Sequence, residues 1–384
     1  MRHHNSVFHQ VQKQVPWNVF DRLVQKHRAD HRVRRLSTKS QFLALLFGQL
    51  SGAASLREIE AGLMSQSARL YHVGGRPVAR TSLADANAKR PADMFAELFA
   101  HMAGAASRRT RRHMADAVRI LDATRVHLSS LNDGWIDTVK GARAIKLHIA
   151  YDPHADVPLD ASFTGQRVND ITPAKAMPIV PGMTYVFDMA YYDFAWWAAL
   201  DAKGCRFVTR LKSHTRLDLI AQQDVSDKKD ILCDCIGLLP QRNARARRHS
   251  FADPVREIAV RIGTGKIIRL VTNDLDASAD EIAALYKQRW QIELFFKWVK
   301  QNLKIRHFLG TSENAIRIQI FVALIAYILL RGAQATQSVV TQPLAFARLV
   351  RLNLMHRRKI ADLKNPPKPP PQDTTQLSLV LALC

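Results

Sequence analysis

Two aspartates stand among neighbours that make a carboxylate costly. In AVRILDATRVHL (117–128), strand alternation puts Val118, Ile120, Asp122, Val126 and Leu128 on one face. Asp188 closes MTYVFDMA (183–190), directly after Tyr185, Val186 and Phe187. A buried charge must be offset by a cation or by hydrogen bonds. Two such acids on adjacent central strands would form an oxygen site for Mg²⁺ or Mn²⁺, hard cations that prefer carboxylates. Each Asp taken alone also fits a simpler role, capping a turn or pairing with one of the chain's many arginines.

A third acid lies in a region whose pattern predicts one long helix, roughly from Ser278 to Leu303. At 100° per residue, Tyr286, Arg289, Glu293, Lys297 and Lys300 share an arc of about 80°. Leu285, Ile292, Phe295, Phe296, Val299 and Leu303 form the adjoining apolar face, with Ile282 and Gln288 outside the pattern. Glu293 with Lys297 is an ordinary i,i+4 pair, which leaves Tyr286, Arg289 and Lys300 without a shared use. Phosphate chemistry supplies one. Glu293 would be the last metal ligand, while the tyrosine and the cations grip phosphates flanking a scissile bond. Trp290 and Trp298 lie nearby and could stack a displaced base; core packing is the simpler role for each.

The elements that must position these groups follow from composition. Residues 1 to about 106 read as helices, as in QFLALLFGQL (41–50) and LREIEAGL (56–63), with a turn at Ser51-Gly52. Basic residues Arg32, Arg34, Arg35 and Lys39 flank them, which suits a DNA-binding module and equally any small bundle. SRRTRRH (107–113) reads as a boundary. Strands are expected at 117–128, 144–151, 183–190 and 205–211, with a helix at about 194–202, an α/β pattern. From 212 to 275 the chain is β-rich in short pieces and includes the basic loop QRNARARRH (241–249). The expected divisions are therefore a helical domain at 1–110, an α/β core at 111–211, a β-rich insertion at 212–275, the core's C-terminal helices at 276–335, and a C-terminal helix with a Pro-rich tail at 336–384.

Bulk charge agrees with a phosphate partner. The chain has 56 Lys and Arg against 33 Asp and Glu, a formal net charge of +23, and basic side chains supply most non-specific affinity for nucleic acids. A hydrophobic content of 47% excludes a disordered scaffold. Cys205, Cys233, Cys235 and Cys384 lack a second Cys/His pair at zinc spacing and read as reduced thiols. The N-terminus MRHHNSVFHQ is polar, without a secretory signal. The longest apolar run, Ile320–Leu330, is short of the ~20 residues needed to span a bilayer and reads as a buried core helix. A cytoplasmic protein with no membrane partner is expected.

The spacing Tyr286-x2-Arg289-x3-Glu293-x6-Lys300 resembles the Y-R-E-K signature of bacterial insertion-sequence transposases with a DDE triad, the insertion-sequence-four-like group. ILDATRVHL resembles that family's first-Asp strand, YVFDMAYYDFAWWAALDAKGCRFVTRLK its second-Asp region, and ENAIRIQIFVALIAYILL its C-terminal helices. The resemblance implies an RNase H-like core (a mixed sheet flanked by helices) with a β-rich insertion and an N-terminal all-helical domain. It places the catalytic acids on Asp122, Asp188 and Glu293, holding two Mg²⁺ or Mn²⁺ ions. DNA contacts fall on Tyr286, Arg289 and Lys300, with Lys297 as an addition. The intervals, 66 residues from Asp122 to Asp188 and 105 from Asp188 to Glu293, match the subgroup with an insertion before the Glu. The implied activity is cleavage at terminal inverted repeats and strand transfer into target DNA, cut-and-paste through a hairpin, by a homodimer on double-stranded DNA, near the nucleoid. Ala190 departs from the usual Asp-x-Gly-Tyr, which bears on whether this copy is active. Two rivals remain: a nuclease of the same fold that never joins strands, and a non-catalytic DNA-binding relative.

Overall fold

The computed structural model describes residues 5–111, 117–128, 138–139, 142–227, 229–240, 251–303 and 308–365. Among the described residues, seven helices precede the sheet: α1 (Val7–Gln12), α2 (Trp17–Lys26), α3 (Thr38–Ser51), α4 (Leu56–Ser65), α5 (Ser67–Leu70), α6 (Arg80–Lys89) and α7 (Ala92–Arg111). Sequence sets their ends. Ser37 caps α3 by accepting from the Ser40 amide, and Gly52, in the left-handed region at φ 77°, closes it at the expected turn. Ser55 caps α4 in the same way, and the Glu58 carboxylate accepts from the Ala54 amide. The basic stretch at 107–111 continues α7 instead of breaking it, since none of its residues is a helix breaker.

Ten described strands form one sheet: β1 (Val118–His127), β2 (Thr138–Val139), β3 (Ala142–Asp152), β4 (Val157–Gly165), β5 (Thr184–Phe187), β6 (Arg206–Arg210), β7 (Asp218–Gln222), β8 (Ile231–Leu238), β9 (Val255–Arg261) and β10 (Ile267–Thr272). Helices α8 (Ile171–Ala176) and α9 (Phe194–Asp201) flank β5 in sequence. β4, β3 and β1 are successively antiparallel; β5 runs parallel to β1, and β6 parallel to β5. An antiparallel meander whose first strand leads into two parallel strands is the RNase H-like pattern. β10 then pairs antiparallel with β6, and β9, β8 and β7 follow, so the strands between 212 and 275 continue the same sheet. The loop 241–249 and the Pro-rich stretch after Asn365 lie outside the described residues.

Beyond the sheet come α10 (Ala279–Gln288), α11 (Trp290–Asn302), α12 (Glu313–Gln334) and α13 (Pro343–Asn353). The single long helix expected at 278–303 is two, divided at Arg289. There the Arg289 amide bonds to the Tyr286 carbonyl and the Ile292 amide to the Arg289 carbonyl, three-residue steps that tighten the turn. On one face of the sheet, Phe187, Trp196, Trp197 and Phe207 form an aromatic cluster under α9. On the other face lie α10, α11 and α12. α12 contains the Ile320–Leu330 run, buried throughout, and packs against α1, α3, α6 and α7. It is long and apolar enough to cross a membrane by composition, but 83% of its most apolar window is buried in the fold. Asp156 ties the β3–β4 turn to α12, accepting from the Tyr151 and Tyr327 hydroxyls and pairing with Arg331.

Candidate active site

The last residues that pair β1 with β5 are Leu121 and Phe187. The next residue on each strand is one of the aspartates. β5 ends there, earlier than the strand expected through Ala190, because Asp188 turns back on itself. Its Oδ1 accepts from the Ala190 amide at 2.7 Å and opens a 3₁₀ turn, Met189–Tyr191. β1 runs on, paired to β3 as far as His127. Asp122 and Asp188 thus sit side by side where two parallel strands part.

Asp122 is largely buried, its side chain 17% exposed, and Oδ1 accepts from the Ala123 amide at 2.8 Å. Its carboxyl is pushed up to about 7, first by burial, then by the charges of Asp188 and Glu293; the Ala123 amide and Arg289 oppose the rise. Tyr191 is buried close by. Burial and then the charges of Asp122, Asp170 and Asp188 hold its hydroxyl well above the usual phenol range.

Glu293 reaches these groups through Arg289. The Arg289 guanidinium donates to Glu293 Oε1 at 2.6 Å and lies 3.6 Å from Asp122 Oδ2, with its carbon 5.7 Å from the Tyr286 ring centre. Burial opposes its charge, but Tyr286, Glu293 and Asp122 outweigh that and keep it cationic. The simpler readings of the aspartates therefore both have a physical basis: Asp188 caps a turn and Asp122 has an arginine nearby.

The structure brings Tyr286, Arg289, Glu293, Asp122 and Asp188 into one neighbourhood, and Lys300 joins it by donating to Thr124 Oγ1 on β1. Lys297 stands exposed on the same helix. Trp298 packs edge-on against Tyr327, as a core residue should, but Trp290 is 59% exposed. Ala190 needs no left-handed backbone and its side chain is exposed, so a methyl in place of hydrogen is accommodated.

Three residues of this neighbourhood escape a reading of the sequence. Thr124 has no feature that separates it from strand filler. Tyr191 stands out only as a position in the family motif. Arg210 ends β6 and lines a 660 Å³ cleft with Tyr286, Arg289 and Trp290. A signal for it exists, since sites gather at the carboxyl ends of parallel strands.

The donor set suits a divalent metal: carboxylate oxygens only, one of them destabilised as an anion by its neighbours. Among the described residues, however, no three acidic, His or Cys side chains converge closely enough to hold an ion. Arg289 provides positive charge between Asp122 and Glu293 instead.

An RNase H-like sheet bearing paired aspartates at its parallel strands and a glutamate on the covering helix defines a protein of the phosphoryl-transfer class. The family described as "Transposase DDE domain" matches residues 113–329, and the chain belongs to it. A domain of unknown function, DUF4372, matches residues 3–76. A Sinorhizobium fredii protein named as transposase y4zB is 40% identical over 290 residues, 74% of this chain and 80% of its own length. A Geobacillus stearothermophilus protein named as the transposase of insertion element IS5377 is 32% identical over 250 residues, 63% of each chain. A piggyBac transposase synaptic complex with hairpin DNA aligns over 97% of this chain and 84% of its own, at 11% identity and a TM-score of 0.45, too loose to carry an inference. The chain is thus a DNA transposase of the bacterial insertion-sequence DDE type, an enzyme with nuclease and transesterification chemistry that acts on DNA. DDE transposase domains generally use divalent metal ions.

Proposed function

We propose that Asp122, Asp188 and Glu293 are the catalytic carboxylates of a cut-and-paste transposase. The carrying observation is their shared neighbourhood: two acids one residue past the last paired positions of adjacent parallel strands, the third joined to Asp122 by one guanidinium. These three would hold two Mg²⁺ or Mn²⁺ ions. Bound there, the ions would supply Lewis-acid stabilisation of the attacking and leaving oxygens of an in-line displacement.

The chain's own residues do the rest. The carboxylates fix where the scissile phosphorus can sit, and the sheet holds two of them rigidly. Arg289, which pairs with Glu293 and lies beside Asp122, would be free to hold a DNA phosphate once ions take up the charge of those carboxylates, a bidentate partner it suits equally well. Tyr286 and Lys300 grip neighbouring phosphates, with Lys297 adding an outer contact. Water attack on the end phosphodiester frees a 3′-OH and leaves a 5′-phosphate on the other side of the cut. That hydroxyl then attacks the phosphodiester of the opposite strand, closing a hairpin and expelling the 3′-OH of the flanking DNA. Water reopens the hairpin to regenerate the 3′-OH, which attacks a target phosphodiester and expels a target 3′-OH. The hairpin route is what the resemblance to the insertion-sequence-four-like group implies. We assign the terminal inverted repeats to the helical region 1–110 and the catalytic core to 111–211 and 276–335, with 212–275 as its β-rich insertion and 336–384 as its C-terminal extension. A homodimer on DNA, in the bacterial cytoplasm near the nucleoid, completes the proposal.

The test combines the protein, Mg²⁺ or Mn²⁺, its element's ends and a target plasmid. Strand joining that Glu293→Gln abolishes supports the proposal. Cleavage without joining points to a nuclease, and binding with no metal-dependent cleavage overturns the catalytic reading.

A further inference from the structure

We infer that a cleft in the N-terminal region, lined by Arg34, Arg35 and Arg76, is a docking site for the phosphate backbone of duplex DNA, separate from the carboxylate site. This deepens the assignment of the N-terminal helices to DNA and gives a chemical role to part of the segment that a domain of unknown function matches.

The cleft has a volume of 340 Å³ and is bordered by the turns after α2, the start of α3 and the loop after α5. Two arginines in the turns, Arg28 and Arg32, adopt left-handed backbone at φ 49° and 57°, a conformation that costs a non-glycine residue free energy. The other wall forms because Gly74, at φ 69°, and Gly75 fold the chain back onto Tyr71 and Leu70. That turn carries Arg76 to the cleft. All three lining arginines are exposed. The cleft's one carboxylate among its lining residues, Asp30, is engaged through Oδ1, which accepts from the amide and hydroxyl of Thr38 and lies 3.8 Å from Arg90. Three guanidinium groups thus frame a concavity whose only lining acid is otherwise engaged.

The surroundings decide between reading bases and holding backbone. A base-reading helix must expose one face to enter the major groove. α3, which borders the cleft, is buried from Thr38 to Leu50 except for partly buried Lys39, so it cannot enter a groove. What reaches outward are arginines on turns, the arrangement that contacts phosphates and fixes register without reading sequence. Duplex DNA is the occupant because the chain is a transposase with a net charge of +23.

The test uses the full chain in EDTA, where no cleavage occurs, so its outcome is independent of the strand-joining experiment. Binding to two labelled duplexes, an element end and a scrambled sequence, is followed by fluorescence anisotropy across a salt series. Replacing Arg34, Arg35 and Arg76 together with alanine should lower the slope of log affinity against log salt by about 2–3, near 0.9 per phosphate contact. Affinity for both duplexes should fall in parallel. Lysine at all three positions should keep most of the slope. Arg76→Glu alone, at an exposed loop position, gives a second route should the triple variant melt abnormally, and should weaken both duplexes. An unchanged slope overturns the inference, and so does a loss confined to the element end, which would mean base reading.

Discussion

Asp122 carries the most testable electrostatics of any single residue. Its folded carboxyl titrates at about 7, against roughly 3.9 in an unfolded chain. Below about pH 4 both states are protonated and the group contributes no difference. As pH rises to 7 the unfolded chain ionises first, so the folded state steadily loses stability. In metal-free protein, Asp122→Asn should therefore be more stable than wild type by a margin that grows from pH 4 to 7 and then levels off. The ceiling is about 4 kcal/mol, because every tenfold difference in proton affinity between the two states corresponds to about 1.4 kcal/mol. Urea unfolding at several pH values measures it, and a margin independent of pH would contradict the burial account. The same titration makes divalent-ion binding pH-dependent: affinity should climb as pH rises toward and past 7, followed by calorimetry.

At the scale of elements, α11 holds Glu293 between opposite environments. Ile292 is fully buried and Leu294 is 52% exposed. Ile292→Ala should cost about 2–5 kcal/mol and displace Glu293, lowering cleavage, whereas Leu294→Ala should change stability by under about 0.5 kcal/mol. Chemical denaturation and a nicking assay read both, and equal costs would mean that α11 is packed differently. The stripe from Tyr286 to Lys300 is legible in the sequence because period 3.6 survives a tightened turn; the break at Arg289 is not, since no Pro or Gly marks it. β1 and β3 show themselves by β-branched runs. β4 does alternate, Val157, Leu159, Ala161 and Phe163 against Pro158, Asp160, Ser162 and Thr164, but Pro158 and Asp160 are poor strand formers that mask it, and its pairing with β3 makes it a strand. That Arg210 approaches Tyr286 depends on which strands are neighbours, a fact of topology with no local trace.

For the whole molecule, one apolar core runs from Val7 to Leu363 and includes α3, α7, α11 and α12. Removing residues 1–111 would bare the faces of α12 that meet α1, α3, α6 and α7. We expect the shortened chain to aggregate or melt without a cooperative transition, as read by calorimetry; a soluble fragment with a sharp transition would show that the two parts fold separately. The site itself divides differently. Asp122 lies within β1 and Asp188 directly follows β5, two strands joined by backbone hydrogen bonds, whereas Glu293 rides on a helix held by side-chain packing. Amide protons of β1 and β5 should accordingly exchange more slowly than those of α11. Gentle warming would then withdraw one acid while the other two keep their places, leaving an enzyme that falls silent while most of it is still folded.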